Sequence, residues 1–592
     1  MNKKTKLMMH GLQKEKKFVE MEEKARRFIK KSPRDALAWR ALAVALKLQG
    51  KDGLEAFKMV VKLLPNNAIS YFHLGVQFEA LGKPQEAIAA YNKSIELDPK
   101  SADAYNNLGN VLRQTVKPYD ALVCHQKAMH LNPKLPQVYL NLGADLLGMG
   151  HYAKAVECYK KALALEPDFV EAYSNLIFTQ DFMTNLDART HIHARRDWAE
   201  NYVDHLMPGE PENDNDPDPD RKLRIGYVGG DFKEHSAARV WGAVLINHDK
   251  TQFETYCYNN NPTKGDSYTE RFRNASEHWR QIASMHDLDI IKLIRKDKID
   301  ILVDLAGHSA MNRLPIFAFH PAPVQIHAWG YATGTGIKKM DYFFACRNIV
   351  APHEREFFTE EIIDLPCAAG SYFPETFPDI GELPYLKNGI ITFGSLNRMH
   401  KTSEECYKTW VEVLRAVPNS RFLLKAGELS DEASRAAVLW NFTKAGIDPN
   451  RIKMLGATKW HEHVGTYNLI DLCLDPFPHG GGVTTMESLC MGVPVVAIRW
   501  PTLVGRISAA IETVVGIPDW VADTADGYVQ LAAKKSSDID GLVRLRKNLR
   551  GMFFSSPIGD QKIYVDAVEQ KYREVWRRWC KKKTLDKQSQ AA

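Results

Sequence analysis

Apolar residues in the first third of the chain keep a helical spacing, three or four apart, and that spacing itself repeats. Pro65, Pro99, Pro133 and Pro167 lie 34 residues apart, each just ahead of a new helical pattern. Tyr71, Tyr105, Tyr139 and Tyr173 keep the same period, as do Leu74, Leu108, Leu142 and Leu176. Gly75, Gly109 and Gly143 follow three of those leucines, and Ala87, Ala121 and Ala155 hold one place in the second helix of each unit. Small residues there let two antiparallel helices approach. An earlier, less regular unit surrounds Pro33 and Trp39 and a repeat-like end lies near Tyr173 to Phe178, so the array covers roughly residues 31 to 185. From "KLRIGYVGGDF" onward the pattern becomes short apolar runs alternating with amphipathic stretches. "QFETYCYNN", "IDILVDLAGHS", "PVQIHAWG" and "MDYFFAC" form one group; "GIITFGSLNRMHK", "SRFLLKAG", "RIKMLGA" and "IDLCLDPFPHGGG" form another. Near-continuous apolar runs suit parallel strands covered by helices on both faces, so two doubly wound sheets are predicted.

The repeat period and its residue pattern, carried by "AYNNLGNVLRQTVKPYDALVCHQKAMHLNP", resemble the tetratricopeptide family. Stacked units of that kind make a curved solenoid with a concave face. Asn107 and Asn141, with Asn175 in the same register, occupy positions that the resemblance directs to that face, where an amide bonds a peptide backbone; His73 breaks the series. A local role in satisfying helix groups fits the same residues.

At 592 residues the chain exceeds a single hydrophobic core. The expected division is a helical extension at 1–30, a repeat solenoid with linking helices at 31–207, a linker at 208–220, and two α/β lobes at 221–385 and 386–592. The linker "PGEPENDNDPDPD" is rich in proline and acidic residues, a composition that forms no packed element. A formal charge of +6 is small for this length and comes partly from the tail "RRWCKKKTLDK", which argues against nucleic acid as a partner. Nine scattered cysteines without a CxxC pair fit reduced thiols, and no run of about 18 apolar residues is present, so a cytoplasmic chain without a membrane span is expected. "EQKYREVWRRWCKKK" reads as an amphipathic helix bracing the lobes, with a basic tail at its end.

"HGGGVTTMESLCMGVPVVAI" reads as glycine turn, helix, turn and strand. The first amides of the helix opened by Gly482, Val483, Thr484 and Thr485 lack helical acceptors and suit an anion; a tight structural turn would also use three glycines. Glu487 follows within reach of a ribose's hydroxyls, or stabilises the helix start. Neither a Walker sequence nor an early GxGxxG is present, so ATP hydrolysis and dinucleotide oxidation are poorly supported. Lys401, with Arg398 before it, stands at the mouth of a strand, where a cation stabilises charge on a departing diphosphate; a solvated loop lysine is the alternative. Asp231 and His235 follow another strand end, and His308 a third; imidazole offers both a donor and an acceptor. Lys459, His461 and His463 open a further helix, where i,i+2 residues face apart, so a metal pair is disfavoured and His463 suits contact with a planar ligand or a helix-cap role.

Together "GYVGGDFKEHS", "ILVDLAGHSAMNRLPIFAFHPAPVQIHAWGYATGTG", "FGSLNRMHK", "VPNSRFLLK" and "DLCLDPFPHGGGVTTMESLCMGVPVV" resemble the O-linked N-acetylglucosamine transferases, more closely their bacterial relatives. The resemblance covers most of residues 31 to 575. It implies a GT-B catalytic region of two Rossmann-like lobes after the solenoid, and UDP-GlcNAc as donor. It also implies inverting transfer to serine or threonine hydroxyls of proteins bound along the repeat groove, with no prosthetic group and no required metal. By motif, it makes His235 the active-site histidine, Lys401 the diphosphate lysine and His463 the nucleobase-side histidine. Thr484, Thr485 and Glu487 fall in the phosphate and ribose segment with a one-position offset in the hydroxyls, and Gln325 lies in a segment that contacts the nucleotide. Asp231 and His308 rank as sugar- or acceptor-side candidates. Another nucleotide sugar such as UDP-glucose, or a weakly catalytic scaffold that binds sugar nucleotides, fits the same residues.

Overall fold

A computed structural model describes residues 9–13, 15–206, 213–367, 370–372 and 376–591. Two compact units divide the chain, one of Met1–Met149 with Glu157–Pro167, the other of Gly150–Val156 with Asp168–Ala592.

The first unit is helical throughout its regular elements, with paired helices such as Ala68–Ala80 and Pro84–Leu97, then Ala102–Gln114 and Pro118–Leu131. The repeated glycines have a steric cause. A Cβ on Gly75 would lie 2.7 Å from the Tyr91 ring, one on Gly109 2.5 Å from His125, and one on Gly143 2.5 Å from Tyr159. The helices of each pair therefore touch through glycine against a ring 16 positions later, and Ala87 and Ala121 are fully buried. His125 stands where its neighbours have tyrosine, and its burial demands partners. Nδ1 pairs with the Asp145 carboxylate, Nε2 bonds the Asn106 carbonyl at 3.1 Å, and Arg113 reaches Asp145 at 3.1 Å.

The second unit holds two parallel sheets. The first contains β1 (Leu223–Gly229), β2 (Phe253–Asn259), β3 (His278–Gln281), β4 (Ile301–Asp304), β5 (Val324–His327), β6 (Tyr342–Ala345) and β7 (Glu361–Asp364), in the order β3-β2-β1-β4-β5-β6-β7. The second contains β8 (Ile391–Ser395), β9 (Ser420–Lys425), β10 (Ile452–Leu455), β11 (Leu472–Leu474), β12 (Val495–Ile498) and β13 (Val521–Ala522), in the order β10-β9-β8-β11-β12-β13. Every strand pair is parallel. Central strands such as β4 and β12 are buried at every position, as their unbroken apolar sequences require.

Of the expected linker, residues 208–212 lie outside the described residues. Residues 213–220 form neither helix nor strand. They nevertheless lie against the first lobe: Asn215 donates to the Lys298 and Ile299 carbonyls and to Asp300, and Trp576 donates to the Asp218 carbonyl at 2.9 Å.

Two further contacts join the lobes. The 31-residue helix Gln561–Ala591 follows the second lobe in sequence yet packs on the first. Tyr564, Val568, Tyr572 and Val575, three or four apart, are fully buried with Trp576 in one cluster with Tyr227, Trp241 and Phe344. Arg506 of the second lobe donates to both Glu354 oxygens of the first at 2.6 and 2.8 Å. Burial would raise the Glu354 carboxyl, but the Arg506 bonds outweigh it and hold the group below its ordinary range.

Candidate functional site

In both sheets the strand order turns back beside the first strand of its lobe: β1 lies next to β4, and β8 next to β11. Chain connections leave such neighbours in opposite directions, opening a crevice at the carboxyl ends where ligands bind. In the second lobe the crevice is built by the segments that leave β8 and β11.

β8 runs out into the turn Met399–Lys401, and the Lys401 ammonium donates to the Gly480 carbonyl at 2.9 Å. Asp475, just past β11 and buried, accepts from the Gly481 amide at 2.9 Å. Burial pulls Lys401 down to about 8 although Asp475 opposes it. Asp475 is pushed up to about 6 by burial, against the Ser508 hydroxyl, the Gly481 amide and Lys401. Gly482 is the N-cap of the helix Val483–Cys490 and has no side chain to cap it. The first helical bond is accepted by the Gly482 carbonyl from Met486, so the amides of Val483, Thr484 and Thr485 precede any helical acceptor. Gly482, Val483 and Thr484 are half-buried, which leaves these donors within reach of an anion. A Cβ on Gly481 would meet Thr485 Oγ1 at 2.5 Å and Asp475 Oδ1 at 2.8 Å, so only glycine fits that approach.

The two threonines separate by role. Thr484 Oγ1 donates to Asn397 Oδ1 at 2.8 Å, at the exit of β8 and facing the crevice walls. Thr485 is buried and its hydroxyl bonds Ser508 at 2.8 Å. Glu487 is buried too, and Oε1 accepts from Tyr372 Oη at 3.0 Å and Trp460 Nε1 at 3.2 Å. Arg239 Nη1 of the first lobe stands 3.7 Å from Oε1, and His463 Nε2 stands 3.8 Å from Oε2. Burial raises the Glu487 carboxyl against Arg239 and the two hydrogen bonds. The same burial, with Lys425 and Arg239 nearby, takes His463 down to about 4, so its imidazole is neutral at pH 7.

On the first lobe, His235 and Asp231 lie in the segment that leaves β1. His235 Nδ1 is 3.3 Å from Asp231 Oδ2 and accepts weakly from the Ala237 amide at 3.3 Å. Burial lowers the imidazole more than Asp231 raises it, and Arg398 of the second lobe also lowers it. The Arg398 charge thus acts on both His235 and Lys401.

Lys401, Arg398, Gly482, Val483, Thr484, Glu487, His463, His235 and Asp231 therefore gather at the carboxyl ends of the sheets, with Thr485 beneath them. Gln325 is not brought there. It lies in the amino-terminal half of β5, fully buried, and its amide donates to the Phe317 and Lys339 carbonyls at 2.8 and 2.7 Å. His308 is buried against Trp198 with Nε2 on the Thr335 carbonyl at 2.8 Å, and burial lowers it to about 3. Lys459 is exposed at the start of the helix Trp460–Gly465. In the repeats, Asn107 and Asn175 are half-buried, whereas Asn141 is buried with its amide donated to Asn106 Oδ1 at 2.9 Å. Sequence reasoning missed Arg239, Asp475, Asn397 and Trp460. Asp475 had a signal, the acidic end of an apolar strand before the glycines. Among the described residues, no group of three or more His, Cys, Asp or Glu is placed to hold a metal ion.

The chain is similar to known proteins. Profiles described as TPR repeat and tetratricopeptide repeat match residues 77–115 and 136–169. The O-GlcNAc transferase of Thermobaculum terrenum, solved as a mutant, superposes with a TM-score of 0.82 at 30% identity, over 87% of this chain and 98% of that one. A Solanum lycopersicum protein named probable UDP-N-acetylglucosamine–peptide N-acetylglucosaminyltransferase SPINDLY is 34% identical over 395 residues, 65% of this chain and 42% of that protein. The Caenorhabditis elegans UDP-N-acetylglucosamine–peptide N-acetylglucosaminyltransferase is 23% identical over 61% of this chain and 41% of its own length. The chain thus spans about two fifths of these curated relatives. The glycosyl transferase family 41 profile matches residues 203–373 and 366–568, more than half of the chain and both lobes of the crevice, and the chain belongs to that family.

Proposed function

We propose that this chain transfers N-acetylglucosamine from UDP-GlcNAc to serine or threonine hydroxyls of proteins, with inversion at the anomeric carbon and without a required metal. The observation that carries the reading is the Lys401 ammonium on the Gly480 carbonyl, beside the free amides that open the helix Val483–Cys490. The names of the relatives supply the donor and the peptide acceptor as the reaction to test.

In this reading the diphosphate lies between Lys401 and the amides of Val483 and Thr484, with Arg398 as a second cation. Charge that develops on the leaving phosphate is stabilised more than charge on the bound donor, which is the condition for catalysis. Neutral His463 stacks on or bonds the base, and Glu487 accepts the ribose hydroxyls on Oε2, the oxygen its protein donors leave less engaged. The Ala237 amide and Asp231 engage His235 Nδ1, which leaves Nε2 to organise the acceptor hydroxyl. The repeats select the acceptor. No two cysteines are joined among the described residues, and no described helix is long and apolar enough to cross a membrane. A cytoplasmic site of action accords with the first of these facts.

A donor screen tests the reading. The full chain is incubated with a panel of nucleotide sugars and a proteome extract, nucleotide release is followed, and labelled peptides are sequenced by mass spectrometry. UDP-GlcNAc should turn over and leave single HexNAc groups on Ser or Thr, unaffected by EDTA, with a β-linkage from the α-linked donor. Turnover of another nucleotide sugar alone would replace the donor assignment, and donor binding without any labelling would leave a scaffold.

A further inference from the structure

The seat of Lys401 has two halves, the turn Met399–Lys401 that carries the side chain and the segment Pro478–Gly480 that receives its ammonium. Beside them, Thr402 and Pro478 form a backbone bridge, and Ser403 donates to the Phe477 carbonyl through its amide at 3.4 Å and its hydroxyl at 2.8 Å. Both halves also rest on two aromatic residues from far earlier in the chain, within the same compact unit. Tyr152 Oη donates to the His400 carbonyl, the residue before Lys401, at 2.7 Å. The fully buried Phe182 ring stacks on His479 at 4.9 Å and 15° and meets His400 edge-on at 5.3 Å. His479 precedes Gly480, whose carbonyl also lies 3.1 Å from His479 Nδ1. Tyr152 and Phe182 stack on each other at 5.8 Å, which makes one aromatic wedge under both halves.

We propose that Tyr152 and Phe182 are positioning residues for Lys401: the first holds the turn through the His400 carbonyl, the second holds the receiving segment through the His479 ring. The inference rests on the reading of Lys401 as the diphosphate lysine. Misplacing such a group by about 1 Å costs on the order of 10²-fold in rate, so the loss of one hydroxyl in the wedge is measurable. The ammonium is faced by Asp475 and by Arg398, His400 and His479, and its burial among them keeps it below its ordinary range. A loosened seat admits water and moves the alkaline limb of kcat/KM upward.

The experiment uses the full chain with Lys401→Ala, Tyr152→Phe, Phe182→Leu and Phe182→Tyr. UDP release from UDP-GlcNAc, UDP affinity by calorimetry, the pH profile and the melting temperature are measured for each. Tyr152→Phe and Phe182→Leu should lower kcat about tenfold with KM little changed and the alkaline limb displaced upward, and Phe182→Tyr, which keeps the ring, should recover most of the loss. Tyr152→Phe removes only a hydroxyl and carries the test if Phe182→Leu does not fold. The inference is overturned if Lys401→Ala is inactive while Tyr152→Phe keeps the parental kcat and pH profile, or if Phe182→Leu lowers only the melting temperature. A Lys401→Ala protein with parental turnover and UDP affinity would instead remove the reading beneath it.

Discussion

In the proposed reading Lys401 concentrates the chemistry in one side chain, and its surroundings decide when it is charged. With the free lysine drawn down to about 8 by burial, the ammonium is present below that pH and lost above it. The predicted consequence is a kcat/KM for donor that falls as pH rises through about 8, with a later fall in kcat because a bound diphosphate favours the charged form. A flat profile between pH 7 and 10 would contradict it. Lys401→Ala should lower kcat/KM by about 10²–10³-fold, the usual effect of removing one preorganised charge stabiliser. Lys401 was legible because it follows a strand end, and the glycines because they precede a helix. Arg239 was not, since its neighbours Glu487 and Trp460 come from the other lobe and no spacing in the chain brings them together. Gln325 was misjudged by motif. The shared segment is present, but the amide faces the buried amino-terminal half of β5 and serves two backbone carbonyls.

Among the elements, the helix Val483–Cys490 depends on the residue that precedes its cap. Gly481→Ala places a methyl within 2.5 Å of Thr485 Oγ1 and 2.8 Å of Asp475 Oδ1. UDP affinity should drop at least about tenfold, a cost of about 1.4 kcal/mol, while circular dichroism stays parental; unchanged affinity in calorimetry would show that the helix start does not hold the phosphates. The repeat helices make a similar stability prediction. His125→Ala removes one of the two side chains, with Arg113, that pair with the buried Asp145 carboxylate and should destabilise the first unit by about 3 kcal/mol in urea unfolding. Strands β1, β2, β4, β5, β6, β8, β9, β11 and β12 announce themselves as apolar runs because central parallel strands are covered on both faces, and β10 is legible although it lies at an edge. Edge strands β3, β7 and β13 do not. β3 reads "HWRQ" and is half exposed, and β13 has two residues, so neither carries an apolar run to detect.

At the scale of the molecule, the cleft works only if both lobes keep their places. The Arg506–Glu354 pair and the helix Gln561–Ala591 supply two connections besides the chain itself. Arg506→Ala strands a buried carboxylate and should cost about 3 kcal/mol, seen as a lower melting temperature with donor KM raised more than kcat is lowered. Equal kinetics would place this pair outside the function of the cleft. The amphipathic stripe at the C-terminus announced a helix, and its aromatic spacing agrees with the buried Tyr564, Tyr572 and Trp576. Which sheet it covers depends on tertiary packing. The crevice follows from topology shared by both sheets, while in the proposed reading the choice of sugar rests on side-chain contacts with the donor.

The account turns on where a nucleotide diphosphate binds, and a crystal structure of the full chain with UDP measures that directly. The diphosphate should lie against Lys401 Nζ and the amides of Val483 and Thr484, with the base beside His463. Density for UDP elsewhere, with those donors left to solvent, would contradict it.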